Sequence, residues 1–195
     1  MARRVYQSKL GTLYQGDCLD VLPKIKDASV DLVFADPPFN LGKDYGKGVD
    51  DARASDEYLT WCQDWIYQCV RTLKPGGALF LYNLPAWNLR LGNYVTDIGM
   101  TFRHWIAIDI KFGLPIQGRL YPSHYSLLYF TKGKPKFFNR PRVPIQVCRH
   151  CGKDVKDYGG HRSKLNPAGI NLSDVWADIP PVSYTHLTLP TILRV

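Results

Sequence analysis

Apolar residues in the first half of the chain fall into short continuous runs separated by stripes of helical period. Residues 10–14 read as a short strand. Val30-Asp31-Leu32-Val33-Phe34-Ala35 is so nearly apolar that it is expected to be a strand covered on both faces. Ser55 reads as a helix N-cap, with Asp56 and Glu57 in the first turn, where negative charge is favourable. From there Tyr58, Cys62, Trp65, Ile66, Cys69 and Leu73 recur at steps of three and four, the mark of one apolar helix face. Lys74-Pro75-Gly76-Gly77 stops that helix, and Ala78-Leu79-Phe80-Leu81-Tyr82 reads as the next buried strand. A second helix is predicted over 86–98, and two more strands near 102–110 and 125–131. Strands alternating with helices predict an α/β fold around a mostly parallel sheet.

The pattern is lost after Thr131. The stretch from Lys132 to Lys164 is rich in Lys, Arg, Pro and Gly, has no clean period, and reads as an appendage on the sheet domain. Charge makes this segment distinctive. Residues 1–100 carry 11 basic against 12 acidic side chains, and residues 101–195 carry 14 against 5. Ten basic residues and only Asp154 and Asp157 lie between Lys132 and Lys164, which equals the net +8 of the whole chain. Lysines and arginines gathered in one segment suit a polyanion, from which they release counterions; a solvated loop is the plain alternative. Lys132, Lys134, Lys136, Arg140, Arg142, Arg149 and Arg162 are the candidate phosphate contacts.

The five cysteines are too few, and odd in number, for a secreted disulfide scaffold. Cys18, Cys62 and Cys69 read as small core residues. Cys148 and Cys151, with His150 and His161 close by, are either half of a zinc site or a tight turn. Trp61, Trp65, Trp105 and Trp176 read as packing residues. No apolar run is long enough to span a bilayer, and the two N-terminal arginines are not followed by a secretory core, so a soluble, cytoplasmic protein without a membrane partner is expected. The string from Val182 to Thr191 resembles the in-frame translation of a sequencing adapter; a polar/apolar strand is the alternative. The expected organisation is therefore a sheet domain over 1–131, a basic segment over 132–181 and an artefact tail over 182–195.

The chemistry concentrates in Asp36-Pro37-Pro38-Phe39-Asn40, directly after an apolar strand. Ligands of open α/β sheets sit beyond the carboxyl ends of strands, and this is such a place. The Asp36 carboxylate accepts one N–H and the Pro37 carbonyl another. Two prolines fix φ and hold the two acceptors at a set separation. Phe39 adds a flat apolar face. Two acceptors and a ring suit a planar group that bears an NH₂, such as the exocyclic amine of a nucleobase.

This turn, with Gly16-Asp17-Cys18-Leu19-Asp20-Val21-Leu22 before it, resembles the opening of the permuted, β-order bacterial and phage DNA amino-methyltransferases. Lys74-Pro75-Gly76-Gly77-Ala78-Leu79-Phe80, the strand from His124 to Thr131 and the closing Asp174-Val175-Trp176 extend the resemblance from about Leu10 to Pro181. Two departures stand out. Phe39 replaces the commoner tyrosine, and no Phe-x-Gly-x-Gly loop occurs; in that group the loop comes downstream, which agrees with a truncated sequence.

The resemblance implies a Rossmann-like, S-adenosylmethionine-dependent methyltransferase sheet, incomplete at its C-terminal side, with S-adenosyl-L-methionine as cofactor. It makes Asp36, Pro37, Pro38 and Phe39 catalytic and sets Asp17 beside the cofactor adenosine, although Asp17 serves equally as an N-cap. Double-stranded DNA is the implied partner, with a companion restriction enzyme or a homodimer as further expectations. The implied reaction is methylation of a flipped base, adenine-N6 before cytosine-N4. Flipping costs a few kcal/mol, of which stacking on Phe39 returns about 1–3 kcal/mol. The alternative of another class is an inactive nucleic-acid-binding fragment lacking the cofactor loop, which is how this chain is expected to behave alone.

Overall fold

The computed structural model describes residues 2–43, 51–110, 117–118, 120–145, 147, 164 and 166–177. The chain begins with an antiparallel hairpin, β1 (Arg3–Gln7) and β2 (Thr12–Gln15), whose residues are all exposed. Only its second strand is legible in the sequence, because Arg3-Arg4-Val5-Tyr6 carries no apolar face. A short helix, α1 (Cys18–Val21), and a single 3₁₀ turn (Leu22–Lys24) lead to β3 (Val30–Ala35). Then come α2 (Ser55–Thr72), β4 (Leu73–Asn83), α3 (Pro85–Asp97), β5 (Thr101–Asp109) and β6 (His124–Thr131). Three two-residue strands follow: β7 (Arg142–Val143), β8 (Ile170–Asn171) and β9 (Val175–Trp176).

The principal sheet has the order β3-β4-β6-β5-β9. Strand β3 runs parallel to β4, and β5 parallel to β9, while β6 is antiparallel to both β4 and β5. The sheet is therefore mixed and not mostly parallel as expected. Antiparallel neighbours need no crossover helix, and no helix is described between β5 and β6.

Helices α2 and α3 cover one face of this sheet. Tyr58, Cys62, Trp65, Ile66, Cys69 and Leu73 are all buried against Leu79, Leu81, Leu128 and Phe130, so the stripe read from the sequence is the core. The other face carries a row of rings running across four strands. Phe34 stacks on Phe80 (centroids 6.5 Å), Phe80 on Tyr129 (4.6 Å, 5° between planes), and Tyr129 on His104 (6.4 Å). Strand β3 does not have both faces covered. It is an edge strand, Val33 and Ala35 meet the core, and Leu32 and Phe34 are 54% and 58% exposed because no described helix lies over them.

Other local expectations are corrected. Ser55 is the first residue of α2, not its cap; Ala54 holds the N-cap position without a side-chain bond. Cys18 is exposed, whereas Cys62 and Cys69 are buried and burial pushes both thiols up to about 12. Lys74-Pro75-Gly76-Gly77 is no free loop but the start of β4. Gly76 has φ +79° and lies so close to the chain at Lys134–Lys136 that a Cβ would sit 2.9 Å from the Lys136 nitrogen. Only glycine fits there.

A second compact unit spans Phe137–Asp174. Its described part holds the short antiparallel pair of β7 and β8. The Arg142 guanidinium donates to the Gly169 carbonyl at 2.8 Å and ties the pair together.

Candidate active site

The Asp36–Asn40 turn leaves the carboxyl end of β3 and is held at three points. The Tyr58 hydroxyl, on α2, donates to the Pro38 carbonyl at 2.7 Å, and the Asn83 amide at the end of β4 donates to the Tyr58 oxygen at 2.9 Å. The Trp87 indole N–H, on α3, donates to the Phe39 carbonyl at 2.9 Å. The rings of Tyr58 and Trp87 pack against one another, centroids 4.7 Å apart. Past the turn, the Asp51 carboxylate accepts backbone N–H bonds from Asn40 (2.7 Å), Leu41 (3.1 Å) and Lys43 (2.9 Å). Asp51 is only 4% exposed, so its charge is satisfied by these donors and not by water.

Asn40 closes the turn. Its φ of +57° lies in the left-handed region, where Asn is tolerated better than most side chains. Its amide then mimics a backbone strand, donating to the Arg53 carbonyl (2.9 Å) and accepting from the Arg53 N–H (2.8 Å). The guanidinium of Arg53 sits over the Trp61 ring at 4.9 Å.

Two acceptors of the turn receive no hydrogen bond from the described residues: the Asp36 carboxylate and the Pro37 carbonyl. Asp36 stands at an accessible rim, yet the protein crowding it pushes its carboxyl above the ordinary carboxylate range by burial. Beside them the Phe39 ring meets Tyr82 and Tyr125, each at 5.5 Å, and these two rings are 5.5 Å from each other. The result is a pair of open acceptors next to an aromatic wall. A cleft of about 420 Å³ is lined by Asp27, Tyr67, Arg71 and Lys132 and touches none of the turn.

The remaining predicted residues are dispersed. Asp17 is the N-cap of α1, with its Oδ1 accepting from the Leu19 N–H at 2.9 Å. The Lys132 ammonium is engaged with the Val70 (2.9 Å) and Leu73 (3.0 Å) carbonyls at the C-terminus of α2. Lys134, Lys136, Arg140 and Arg142 are not buried. Cys148, Arg149, Cys151 and Arg162, and the 182–195 tail, lie outside the described residues. No group of three His, Cys, Asp or Glu able to hold a metal occurs among the described residues, so the structure gives zinc no support. Sequence reasoning missed Asp51, Tyr82, Asn83, Trp87 and Tyr125, and placed Tyr58 only in the core. The apolar period of α2 marks Tyr58 as inward-facing, and nothing in that period marks a hydroxyl aimed at a carbonyl.

The chain belongs to the N6/N4 DNA methylase family, which it matches over residues 30–190. It is 54% identical over 181 residues to the type II methyltransferase M.BamHI of Bacillus amyloliquefaciens, covering 92% of this chain and 43% of that protein. It is 34% identical to the type II methyltransferase M.BglII of Bacillus subtilis, covering 86% and 48% respectively. The chain thus spans about half the length of the curated relatives it matches. Among solved structures, the PvuII cytosine-N4-specific DNA methyltransferase superposes with a TM-score of 0.51 at 20% identity, covering 64% of this chain and 50% of that one. A candidate DNA modification methylase from Thermus thermophilus, complexed with S-adenosyl-L-methionine, gives 0.52 at 18%, covering 86% and 66%. Both likenesses establish the α/β methyltransferase fold.

Proposed function

We propose that this chain carries the base-methylating turn of a type II DNA methyltransferase acting on the exocyclic amine of a flipped adenine or cytosine. The observation that carries the reading is the pair of unbonded acceptors, Asp36 and the Pro37 carbonyl, beside Phe39 in a turn whose next two carbonyls, Pro38 and Phe39, are already taken.

An aromatic amine delocalises its lone pair into the ring and is a poor nucleophile. The Asp36 carboxylate would accept one N–H and the Pro37 carbonyl the other, favouring a pyramidal nitrogen whose lone pair is free. As positive charge develops on that nitrogen, the Asp36 carboxylate stabilises it without reorganising. Phe39 supplies the face on which the extruded base stacks. S-adenosyl-L-methionine, when bound, supplies an electrophilic methyl group. Of the described residues, the exposed Asp17 offers a carboxylate suited to an adenosine polar edge, and no glycine-rich cradle accompanies it.

Adenine-N6 and cytosine-N4 present the same NH₂ edge to this turn, and the product nucleoside decides between them. A chain of the full length of its relatives, incubated with labelled S-adenosyl-L-methionine and plasmid DNA, is expected to yield N6-methyladenosine or N4-methylcytidine deoxynucleosides on digestion. Label in neither, with the protein folded and the cofactor bound, overturns the reading.

A further inference from the structure

We propose that Tyr58 and Trp87, braced by Asn83, are positioning residues that fix which carbonyl of the turn meets the substrate amine. The inference rests on the function proposed above and extends it to residues behind the turn.

Asp36-Pro37-Pro38-Phe39 presents three carbonyls in succession after the aspartate, and prolines contribute no N–H to occupy any of them. The prolines fix φ, but rotation about ψ still redirects each of the Pro37, Pro38 and Phe39 oxygens, any of which can accept a hydrogen bond. The structure removes two from competition. Pro38 is taken by the Tyr58 hydroxyl at 2.7 Å and Phe39 by the Trp87 indole at 2.9 Å. The donors come from different helices, α2 and α3, and are locked together by the 4.7 Å contact of their rings. Tyr58 cannot turn its hydroxyl elsewhere without stranding the buried Asn83 amide that donates to it. Asn83 is itself held, its Oδ1 accepting from the Leu84 N–H at 2.7 Å. Burial drives the Tyr58 hydroxyl well above its usual pKa, so it remains a donor at any pH the enzyme meets.

A residue that only filled the core would tolerate loss of its polar atom while its ring stayed. A positioning residue would not, since a displacement of about 1 Å at a reacting group costs up to about 100-fold in rate. Tyr58→Phe and Trp87→Phe each delete one donor and keep an aromatic ring in place, so either serves if the other fails to fold. The test uses a chain of the full length of its relatives, in steady-state and single-turnover methyl transfer to DNA. Tyr58→Phe is expected to lower kcat about 10- to 100-fold with KM for DNA and for cofactor within about twofold of the parent. Combined with Asp36→Ala it should add little to the loss from Asp36→Ala alone, because both act on the same amine. Unchanged kcat in both ring variants overturns the proposal. So does a loss that appears as raised KM and multiplies fully with that of Asp36→Ala, which marks weakened substrate binding independent of the amine; a melting temperature equal to the parent's excludes loss of folded protein as the cause of a lower kcat. If the parent chain methylates no DNA at all, the underlying function is wrong, an outcome recognisable before any variant is made.

Discussion

Asp36 carries opposing demands. Crowding by protein raises its carboxyl pKa, and the cause is desolvation with no compensating hydrogen bond. A folded-state pKa above the unfolded value means the folded protein holds this proton to higher pH. The group's contribution to stability is fully present below its unfolded pKa and is lost as pH rises through the folded value. At neutral pH an ionised Asp36 therefore costs stability in exchange for its acceptor. Asp36→Asn removes the charge at nearly constant shape, and it is expected to melt higher than the parent at pH 7. The gain should shrink toward zero as pH falls into the range where the aspartate is protonated, read by thermal melts across pH. The turn itself is legible in the sequence because its chemistry is local: a carboxylate, two prolines and a ring in four consecutive residues. Asp51, 11 positions from Asn40, reaches the turn only through the fold, and its neighbours in sequence announce nothing.

At the scale of elements, the strands and helices that form the core are readable from periodicity, since apolar burial at steps of three and four or in short runs is what drives them. Boundaries stray where tertiary contact takes over. Strand β4 starts at Leu73, and the 132–136 segment bonds to its opening residues: the Gly76 N–H bonds the Lys132 carbonyl at 2.8 Å, and the Lys132 N–H the Gly77 carbonyl at 2.9 Å. Charge alone groups Lys132 with the phosphate contacts, yet its ammonium bridges two carbonyls at the C-terminus of α2, where a cation complements the helix dipole. Lys132→Met is thus expected to cost about 0.5–2 kcal/mol of stability and to leave the salt dependence of DNA binding unchanged. A slope of log K against log salt reduced by nearly one, with the melting temperature unaltered, would assign it to phosphate instead.

At the scale of the molecule, the two faces of the sheet differ: α2 and α3 cover one, while the other buries Ile106, Ile108 and Leu127 but is open toward β3. Leu32 and Phe34 stand open on β3, at an edge with no described partner, and the ring row from Phe34 to His104 continues that surface. The apolar run from Val30 to Ala35 suggests cover on both faces, and no described helix supplies it over Leu32 and Phe34. Exposed apolar faces and unpaired strand edges drive association. The 195-residue chain by itself is expected to elute as oligomers or heterogeneous aggregates in light-scattering chromatography and to bind S-adenosyl-L-methionine negligibly by calorimetry. A monodisperse monomer that binds the cofactor tightly would show that the face needs no further cover. No helix among the described residues is long and apolar enough to cross a membrane.

The central claim is that the Asp36 carboxylate and the Pro37 carbonyl together receive a base amine. It is tested most directly by single-turnover methyl transfer to DNA at saturating cofactor, comparing the full-length parent with Asp36→Ala. Loss of one preorganised electrostatic partner at a reacting centre costs about 100- to 1,000-fold, so a fall of that size in the transfer step is expected, with DNA and cofactor still bound. Transfer at the parental rate would contradict the account.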